Sequence, residues 1–226
     1  MSQPGLRRPS GRMISPRARP TPGKRLFDLV VASVALIATA PLLVVLAAVV
    51  RATSPGPSLF RQTRVGRDRR PFTLYKFRTM YAGCPDAPHR EYVRELLTTD
   101  QPPAGGPCGL YKLQDDARIT PAGRLLRRLS LDELPQLLNV IRGDMSLVGP
   151  RPALTWEAEL IGPVHGQRFL VAPGLTGLWQ VSGRNWLTMR QGFDLDVEYV
   201  RRRSLALDVA ILLRTIPVVL SARGAL

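Results

Sequence analysis

An apolar run at residues 29–50 limits how this chain can fold more than any other feature. Its 22 residues carry no charge, and a helix that rises about 1.5 Å per residue would extend about 33 Å, enough to cross a hydrocarbon core of about 30 Å. Pro41 divides the run into segments of 12 and 9 residues, and neither segment would span alone if the helix bent sharply there. The run therefore predicts a membrane helix that either spans the bilayer or turns back within it.

The charges on both sides of the run favour a helix that turns back. Residues 1–25 contain seven basic and no acidic residues, and residues 51–80 contain eight basic residues and one acidic residue. The positive-inside rule places both flanks in the cytoplasm. We therefore predict a re-entrant helical hairpin at 24–52, in which Thr39 offers a hydroxyl to the backbone interrupted at Pro41. A straight spanning helix is the alternative.

The rest of the chain divides by composition into a tail and one domain. Residues 1–23 are rich in Pro, Arg, Ser and Gly and lack hydrophobic periodicity, which predicts a disordered basic tail. Residues 53–226 can form a single core, and we predict a cytosolic, membrane-associated domain. Short strands at 58–62 and 72–77 predict a β-hairpin. Helical patterns occupy residues 135–142, 154–161 and 205–220. The predicted fold is therefore α+β and mainly helical, with amphipathic helices at the membrane interface.

The net charge of the chain indicates which partners it binds. It is +15, from 32 basic and 17 acidic residues, and such an excess implies nucleic acid, an anionic membrane surface or phosphorylated substrates. Aromatic residues make up only 6%, which disfavours a stacking platform for single-stranded nucleic acid. No helix-turn-helix or zinc-finger pattern is present. We therefore expect an anionic lipid membrane and phosphorylated substrates, and no nucleic acid.

Two adjacent carboxylates precede a predicted helix. Asp132 and Glu133 come just before Pro135, which suits the first turn of a helix, so both acids would lie at a helix N-terminus, where phosphates also bind. They are surrounded by basic residues, namely Arg124, Arg127, Arg128, Arg142 and Arg151. A carboxylate among cations stays ionised and can attack a substrate or hold a metal, while arginines bind phosphate oxygens. The alternative is a helix cap within a surface salt-bridge network.

These acids belong to a longer stretch that resembles a known family. The sequence GRLLRRLSLDELPQ at 123–136, followed by PRP at 150–152, is similar to the bacterial sugar transferases, the monotopic polyprenyl-phosphate phosphoglycosyl transferases. The likeness extends to TSPGP at 53–57, YKFRTM at 75–80 and PGLTGLWQVSGRN at 173–185. Family members have a re-entrant membrane helix kinked at a Ser-Pro pair, where this chain has Ala40-Pro41.

The resemblance implies a reaction and a set of site residues. It implies transfer of a sugar-1-phosphate from a UDP-sugar to undecaprenyl phosphate, with release of UMP, at the cytosolic face of the bacterial cytoplasmic membrane. This would be the first membrane step in assembling a polysaccharide or a protein-linked glycan. Matched to the family motifs, Asp132 would form a phospho-aspartate and Glu133 would bind Mg²⁺. The residues expected to bind substrate phosphates are Lys76, Arg78, Arg127 and Arg151.

Two alternatives would also explain the basic charge and the apolar run. One is a membrane-tethered regulator that binds nucleic acid, and the other is a non-catalytic membrane scaffold in a polysaccharide assembly complex. Replacing Asp132 with asparagine separates them from an enzyme, because only an enzyme should lose turnover. No motif identifies the sugar, the pathway or the oligomeric state, so a homo-oligomer stays open.

Overall fold

The computed structural model describes residues 21–84, 90–91, 93–95, 116–183 and 187–220. The predicted basic tail lies outside these residues up to position 20. The end of the 173–185 motif lies outside them as well, from position 184.

The apolar run forms part of one long helix, α1, which spans Pro22–Thr53. The Thr21 hydroxyl caps it by accepting a hydrogen bond from the Lys24 backbone N–H at 3.3 Å. Among the described residues, α1 is the helix that is long and apolar enough to cross a membrane. It continues through Pro41, although an interior proline removes one backbone donor and its ring crowds the carbonyl four residues earlier, which favours a bend at that point. The helix is thus continuous through Pro41, and the turn back within the bilayer stays a prediction.

The Thr39 hydroxyl has a different partner from the one we expected. It donates to the Ala35 carbonyl at 2.7 Å, whereas Pro41 removes the donor that would bond to the carbonyl of residue 37. A threonine that bonds back four residues often bends a helix. The Thr39 hydroxyl therefore bonds to a carbonyl two residues before the one that Pro41 leaves without a donor.

Both halves of α1 pack against the rest of the chain. In the first half, Ala32 is fully buried in the main core beside Val140 and Val200. In the second half, Val50 packs with Phe77 and Leu126. The opposite side of α1 is exposed and apolar, with Leu26, Val34, Ile37, Val44 and Val45 the most exposed. Both ends of α1 therefore contact one domain.

A small antiparallel sheet lies beside α1. Strand β1 (Leu59–Val65) and strand β2 (Pro71–Phe77) form the predicted hairpin. Strand β4 (Ala153–Leu154) pairs with β1, so that the strand order is β2-β1-β4. Strands β3 (Ser146–Val148) and β5 (Gly174–Thr176) form a separate parallel pair. The predicted helix at 154–161 is correspondingly shorter, because its first residue belongs to β4.

The helices confirm a mainly helical α+β fold. After α1 they are, in chain order, a 3-10 helix at Arg67–Arg69, α2 Pro121–Arg128, a second 3-10 helix at Leu131–Gln136, α3 Leu137–Arg142, α4 Thr155–Leu160, α5 Pro163–Gly166, a third 3-10 helix at Gln167–Leu170, α6 Leu178–Val181, α7 Met189–Arg202 and α8 Leu205–Leu220. The last helix has the predicted bounds.

The outer edge of β2 is covered by one side chain. Asn139 of α3 is fully buried. Its amide donates to the Thr73 carbonyl at 2.7 Å and accepts from the Tyr75 N–H at 3.1 Å. These are the backbone groups that a further strand would have used. Asn139 therefore fixes the hairpin against the helix that follows Asp132 and Glu133.

A buried polar cluster joins α1 to the C-terminal helices. We call Lys24, Asp28, Ser146, Tyr199 and Asp208 the anchor cluster. The Lys24 ammonium lies 2.7 Å from Asp208 and 3.5 Å from Asp28. The Tyr199 hydroxyl lies 2.8 Å from Asp208, and the Ser146 hydroxyl donates to Asp28 at 2.8 Å. Burial and then the Asp208 charge raise the pKa of Tyr199, so the phenol stays protonated.

Candidate active site

The adjacent acids lie at the start of a 3-10 helix. Asp132 and Glu133 occupy the first turn of the six-residue helix Leu131–Gln136. Ser130 before them adopts a left-handed conformation with φ of 54°, which turns the chain after α2. The predicted α-helix thus begins later, at Leu137, and the expected phosphate site at its N-terminus is not formed by these acids. Asp132 is only 8% exposed. The groups that can bind a phosphate here are therefore the cations around Asp132 rather than the N-terminus of a helix.

Arg127 is held beside Asp132 by close packing of α2. Gly123 lies so near the Thr79 carbonyl that a Cβ there would collide with it. This contact brings Arg127, one turn later, to within 2.9 Å of the Thr79 hydroxyl, which accepts a hydrogen bond from Nε. Burial lowers the pKa of Arg127, and the Asp132 charge opposes that effect. Arg127 and Asp132 are therefore electrostatic partners.

Lys76 approaches Asp132 from the hairpin. It is half-buried on β2, and its ammonium lies 5.1 Å from the centre of the Phe60 ring. Burial lowers the pKa of Lys76 to about 8; the Arg64 charge acts in the same direction, while Asp132 opposes it. A bound phosphate would stabilise the ammonium. Lys76 is thus a cation whose charge depends on the site around it.

The loop that carries Arg151 is held by two other arginines. Arg168 donates to the Arg151 carbonyl at 2.7 Å, and Arg64 donates to the Pro152 carbonyl at 3.2 Å. Arg168 is itself buried and lies 2.6 Å from Asp196. Burial raises the pKa of Asp196 to about 6 despite the opposing Arg168 charge. The loop therefore presents the exposed Arg151 side chain from a fixed backbone.

Sequence reasoning missed the roles of Arg64 and Arg168. The hairpin region is rich in arginine, and nothing in its sequence separates Arg64 from the others. Its contact with the Pro152 carbonyl and its place in the lining of two cavities do so. No motif pointed to Arg168. Its importance follows from its buried pair with Asp196, which no sequence spacing indicates.

Arg78 lies apart from the other predicted site residues. Its guanidinium is buried and donates to the carbonyls of Ser54 and Pro55 at 2.7 and 2.6 Å. It thereby closes the turn after α1, where a Cβ on Gly56 would collide with the guanidinium. The structure does not bring Arg78 to either cavity described below, so its binding to substrate stays a prediction.

Asp132 lies between two cavities in the described part of the chain. We call the first, of about 220 Å³, the polar cavity. Lys76, Arg127, Glu133 and Arg151 line it with Asp132. Its other charged, amide and tryptophan side chains include Arg64, Asp116, Arg118, Trp156, Trp179 and Gln180. The structure thus brings five of the six predicted site residues together.

The second cavity meets the first at the acid pair. We call it the apolar cavity; its volume is about 320 Å³. Its apolar lining includes Leu129, Leu131, Leu134, Leu175, Val181, Leu212, Val218 and Val219. The residues common to both cavities are Arg64, Lys76, Ser130, Asp132, Glu133, Arg151, Pro152 and Gln180. The reacting carboxylate expected from the sequence is therefore reachable from a polar side and an apolar side.

The carboxylates near the site suit a metal that is shared with substrate. Among the described residues, no group of three or more His, Cys, Asp and Glu side chains could hold an ion. Mg²⁺ is commonly bound by one or two carboxylates together with substrate phosphates and water. Glu133, beside Asp132 in the polar cavity, fits that kind of site.

Comparison with known proteins decides the family. Residues 20–222 match the model of the family described as bacterial sugar transferase. The chain belongs to this family. It is 41% identical over 208 residues to the exopolysaccharide production protein ExoY of Sinorhizobium fredii, covering 89% of this chain and 87% of that protein. The predicted family is therefore confirmed, and with it the prediction of an enzyme that transfers a sugar-phosphate group.

Two further relatives carry more specific names. The UDP-glucose:undecaprenyl-phosphate glucose-1-phosphate transferase of Caulobacter vibrioides is 41% identical over 226 residues, covering 96% of this chain and 76% of that protein. The undecaprenyl-phosphate galactose phosphotransferase of Salmonella typhimurium is 42% identical over 202 residues, covering 89% of this chain and 41% of that protein. This sugar transferase thus resembles relatives named for two different sugars.

Proposed function

We propose that this sugar transferase moves a sugar-1-phosphate from a UDP-sugar to undecaprenyl phosphate and releases UMP. The observation that carries the proposal is the position of Asp132, a nearly buried carboxylate beside Lys76 and Arg127 at the meeting of a polar and an apolar cavity. The names of the Caulobacter and Salmonella relatives support the acceptor, and the former also supports the UDP-sugar donor.

In the first step, an Asp132 carboxylate oxygen attacks the phosphorus atom that bears the sugar. A new O–P bond forms as the bond from that phosphorus to the bridging oxygen breaks, and UMP leaves with the electron pair. The product is a phospho-aspartate that carries the sugar. A nearby base is not needed, because the carboxylate is already the nucleophile.

The cations of the polar cavity stabilise the charge that develops in this step. Lys76, Arg127 and Arg151 line the cavity with Asp132, where charge-assisted hydrogen bonds to phosphate are strong. Glu133 would hold Mg²⁺ together with the diphosphate. When bound, the ion would neutralise the leaving phosphate.

In the second step, a phosphate oxygen of undecaprenyl phosphate attacks the same phosphorus atom. The bond to Asp132 breaks, and the carboxylate is restored. The product is a polyprenyl diphosphate sugar. This order of events makes the reaction ping-pong, because UMP leaves before the acceptor reacts.

The packing of α1 supports a position at the cytosolic face of the membrane. Both ends of α1 contact the same domain, and both flanks carry excess positive charge. A domain on one side of a bilayer could not hold both ends of a helix that crossed it. We therefore place α1 in one leaflet, re-entrant with both ends on the cytosolic side. The basic hairpin would then rest on anionic headgroups, each basic residue contributing about 1 kcal/mol.

The test is UMP release from a panel of UDP-sugars by detergent-solubilised protein with Mg²⁺ and undecaprenyl phosphate. Asp132→Asn should lower turnover by at least about 10⁴-fold, because it removes the nucleophile. Asp68→Asn is the matched control: it makes the same change on the hairpin turn, at an exposed residue with φ of 55°, and asparagine accepts that conformation. Its turnover should equal that of the wild type.

The lipid requirement separates the proposal from its alternatives. Sustained release of UMP should need undecaprenyl phosphate, and the active UDP-sugar identifies the donor. Full turnover by Asp132→Asn would contradict the role of the carboxylate. No release from any UDP-sugar, with metal and lipid verified, would favour another nucleotide donor or the scaffold.

A further inference from the structure

We propose that the apolar cavity binds the first isoprene units of the polyprenyl phosphate, with the lipid's phosphate at the boundary with the polar cavity. This inference rests on the proposed function and assigns each substrate its own side of Asp132. The donor occupies the polar cavity, and the acceptor enters from the apolar one.

The lining of the apolar cavity suits a branched hydrocarbon. Three groups of aliphatic side chains surround it: Leu129, Leu131 and Leu134 around the 3-10 helix, Leu175 and Val181 near α6, and Leu212, Val218 and Val219 on α8. Thr215 of α8 also lines it, but its hydroxyl bonds to the Ile211 carbonyl and to Thr176, each at 2.8 Å. Because that hydroxyl is satisfied, it offers little attraction to a polar ligand.

The charge of the cavity is confined to its boundary with the polar cavity. Lys76, Arg64 and Arg151 lie in this shared boundary together with Asp132. A lipid phosphate carries its negative charge at one end of an apolar chain, and the cavity has the complementary distribution of charge. The phosphate would therefore lie within reach of the phosphorus on Asp132, and the chain would extend away from it.

Helix α8 connects the apolar cavity to an apolar outer surface. Its inner residues, Leu212 and Val218, line the cavity, while Leu213 and Ile216 on its outer side are 62% and 55% exposed. An exposed apolar helix face of this kind suits a lipid surface. The remainder of the acceptor chain would leave the cavity along α8 and stay in the membrane.

Separate cavities have a kinetic consequence. UMP and the isoprene chain would not compete for the same space, so the acceptor chain can be bound while UMP departs. Filling the apolar cavity should then impair the second step and spare the first. This separation of the two half-reactions gives the inference its own test.

The first experiment compares Val218→Trp with Leu213→Trp. Val218 lines the apolar cavity and Leu213 faces outward on the same helix, so the second variant is a matched control. In Val218→Trp, the single-turnover burst of UMP should stay at the wild-type level. The KM for undecaprenyl phosphate should rise about tenfold or more, because the pocket is filled. Leu213→Trp should match the wild type in both measurements.

The second experiment uses the unmodified chain and a farnesyl phosphate with a diazirine on its terminal isoprene unit. After irradiation, mass spectrometry should find the label at 129–134 or at 212–219. Label confined to α1 would overturn the inference. This measurement also decides the matter if Val218→Trp loses its UMP burst, which would indicate a wider defect.

The outcomes distinguish this inference from the proposed function. A normal burst and an unchanged KM for undecaprenyl phosphate in Val218→Trp would overturn the assignment of the cavity and leave the transferase reaction intact. Absence of a burst in the wild type with every UDP-sugar would overturn the proposed function, and the acceptor assignment with it.

Discussion

The anchor cluster and the site around Asp132 contain the same kinds of side chain, but the first stabilises the fold and the second lines cavities that can bind a ligand. In the anchor cluster, Asp28 and Asp208 are 3% and 1% exposed and share the Lys24 ammonium. Asp132 is also buried, yet the cations near it line cavities. The difference lies in closure: one cluster is sealed by packing, and the other leaves room for a ligand.

The balance of charge differs as well. The anchor cluster contains two carboxylates and a tyrosine against one lysine, whereas the residues shared by both cavities include two carboxylates against Lys76, Arg64 and Arg151. A phosphate would be repelled by the first arrangement and attracted by the second. Residue type alone therefore does not mark a phosphate site; the sign of the local charge and an open volume do.

The largest expected effect is on stability, at the anchor cluster. Asp208→Ala should lower the free energy of unfolding by about 3–5 kcal/mol, because it leaves Lys24 with a weaker partner in a buried setting. The control is Glu198→Ala, which breaks the exposed pair with Arg202 at 2.6 Å and should cost at most about 1 kcal/mol. Thermal unfolding in detergent measures both. Equal melting temperatures would mean that the anchor cluster contributes no more than a surface pair.

A smaller effect, on catalysis rather than stability, is expected at Lys76. Lys76→Met should lower kcat/KM for the UDP-sugar by about 10²–10³-fold, because one cation that stabilises the transition state is lost. The melting temperature should stay near the wild-type value, since the methionine keeps most of the apolar stem. Loss of stability without loss of activity would mean that Lys76 has a structural role like that of the anchor cluster and no catalytic one.

The pH dependence sharpens the same comparison. The pKa of Lys76 is lowered to about 8, so the ammonium is lost as pH rises through that value. Because kcat/KM reports the free enzyme, it should be level below pH 8 and fall above it. Lys76→Arg keeps its charge in this range, and its residual activity should not decline there. A wild-type profile that stays level to pH 10 would contradict this assignment.

The smallest expected effect concerns Arg78. Its guanidinium contacts Ser54 and Pro55, so Arg78→Lys should destabilise the chain by about 1–3 kcal/mol through lost hydrogen bonds. The KM for the UDP-sugar should change little. A large rise in this KM at unchanged melting temperature would instead restore the role in substrate binding that the motif implied.

The sequence pattern predicted correctly those helices and strands that are determined by neighbouring residues alone. The hairpin and the bounds of α8 followed from strand propensity, turn residues and apolar periodicity. Pro41 lies inside a continuous helix, and how sharply it bends that helix depends on packing that the local sequence does not show. The predicted start of the helix at 135–142 was wrong. A 3-10 helix occupies Leu131–Gln136 and the α-helix begins at Leu137, because the 3-10 turn depends on how Asp132 is packed.

Contacts between distant residues set the limit of sequence reasoning at the site. The family motifs led to Asp132, Lys76 and Arg127, which the structure gathers at one cavity. The same motif suggested Arg78, because residues two apart share a face of a strand; β2 ends at Phe77, however, and Arg78 turns to Ser54 and Pro55 instead. The pairing of Lys24 with Asp208, 184 positions apart, had no local signal at all.

The amide of Asn139 has a consequence for self-association. An unpaired strand edge can pair with the same edge of another molecule, and here a single side chain occupies that edge at Thr73 and Tyr75. Hydrolysis of the amide to a carboxylate would replace the donor to the Thr73 carbonyl with an oxygen that repels it. Ageing of one asparagine would thus weaken the hold of α3 on β2 and make the strand edge at Thr73 and Tyr75 more open to pairing with a second copy of the enzyme.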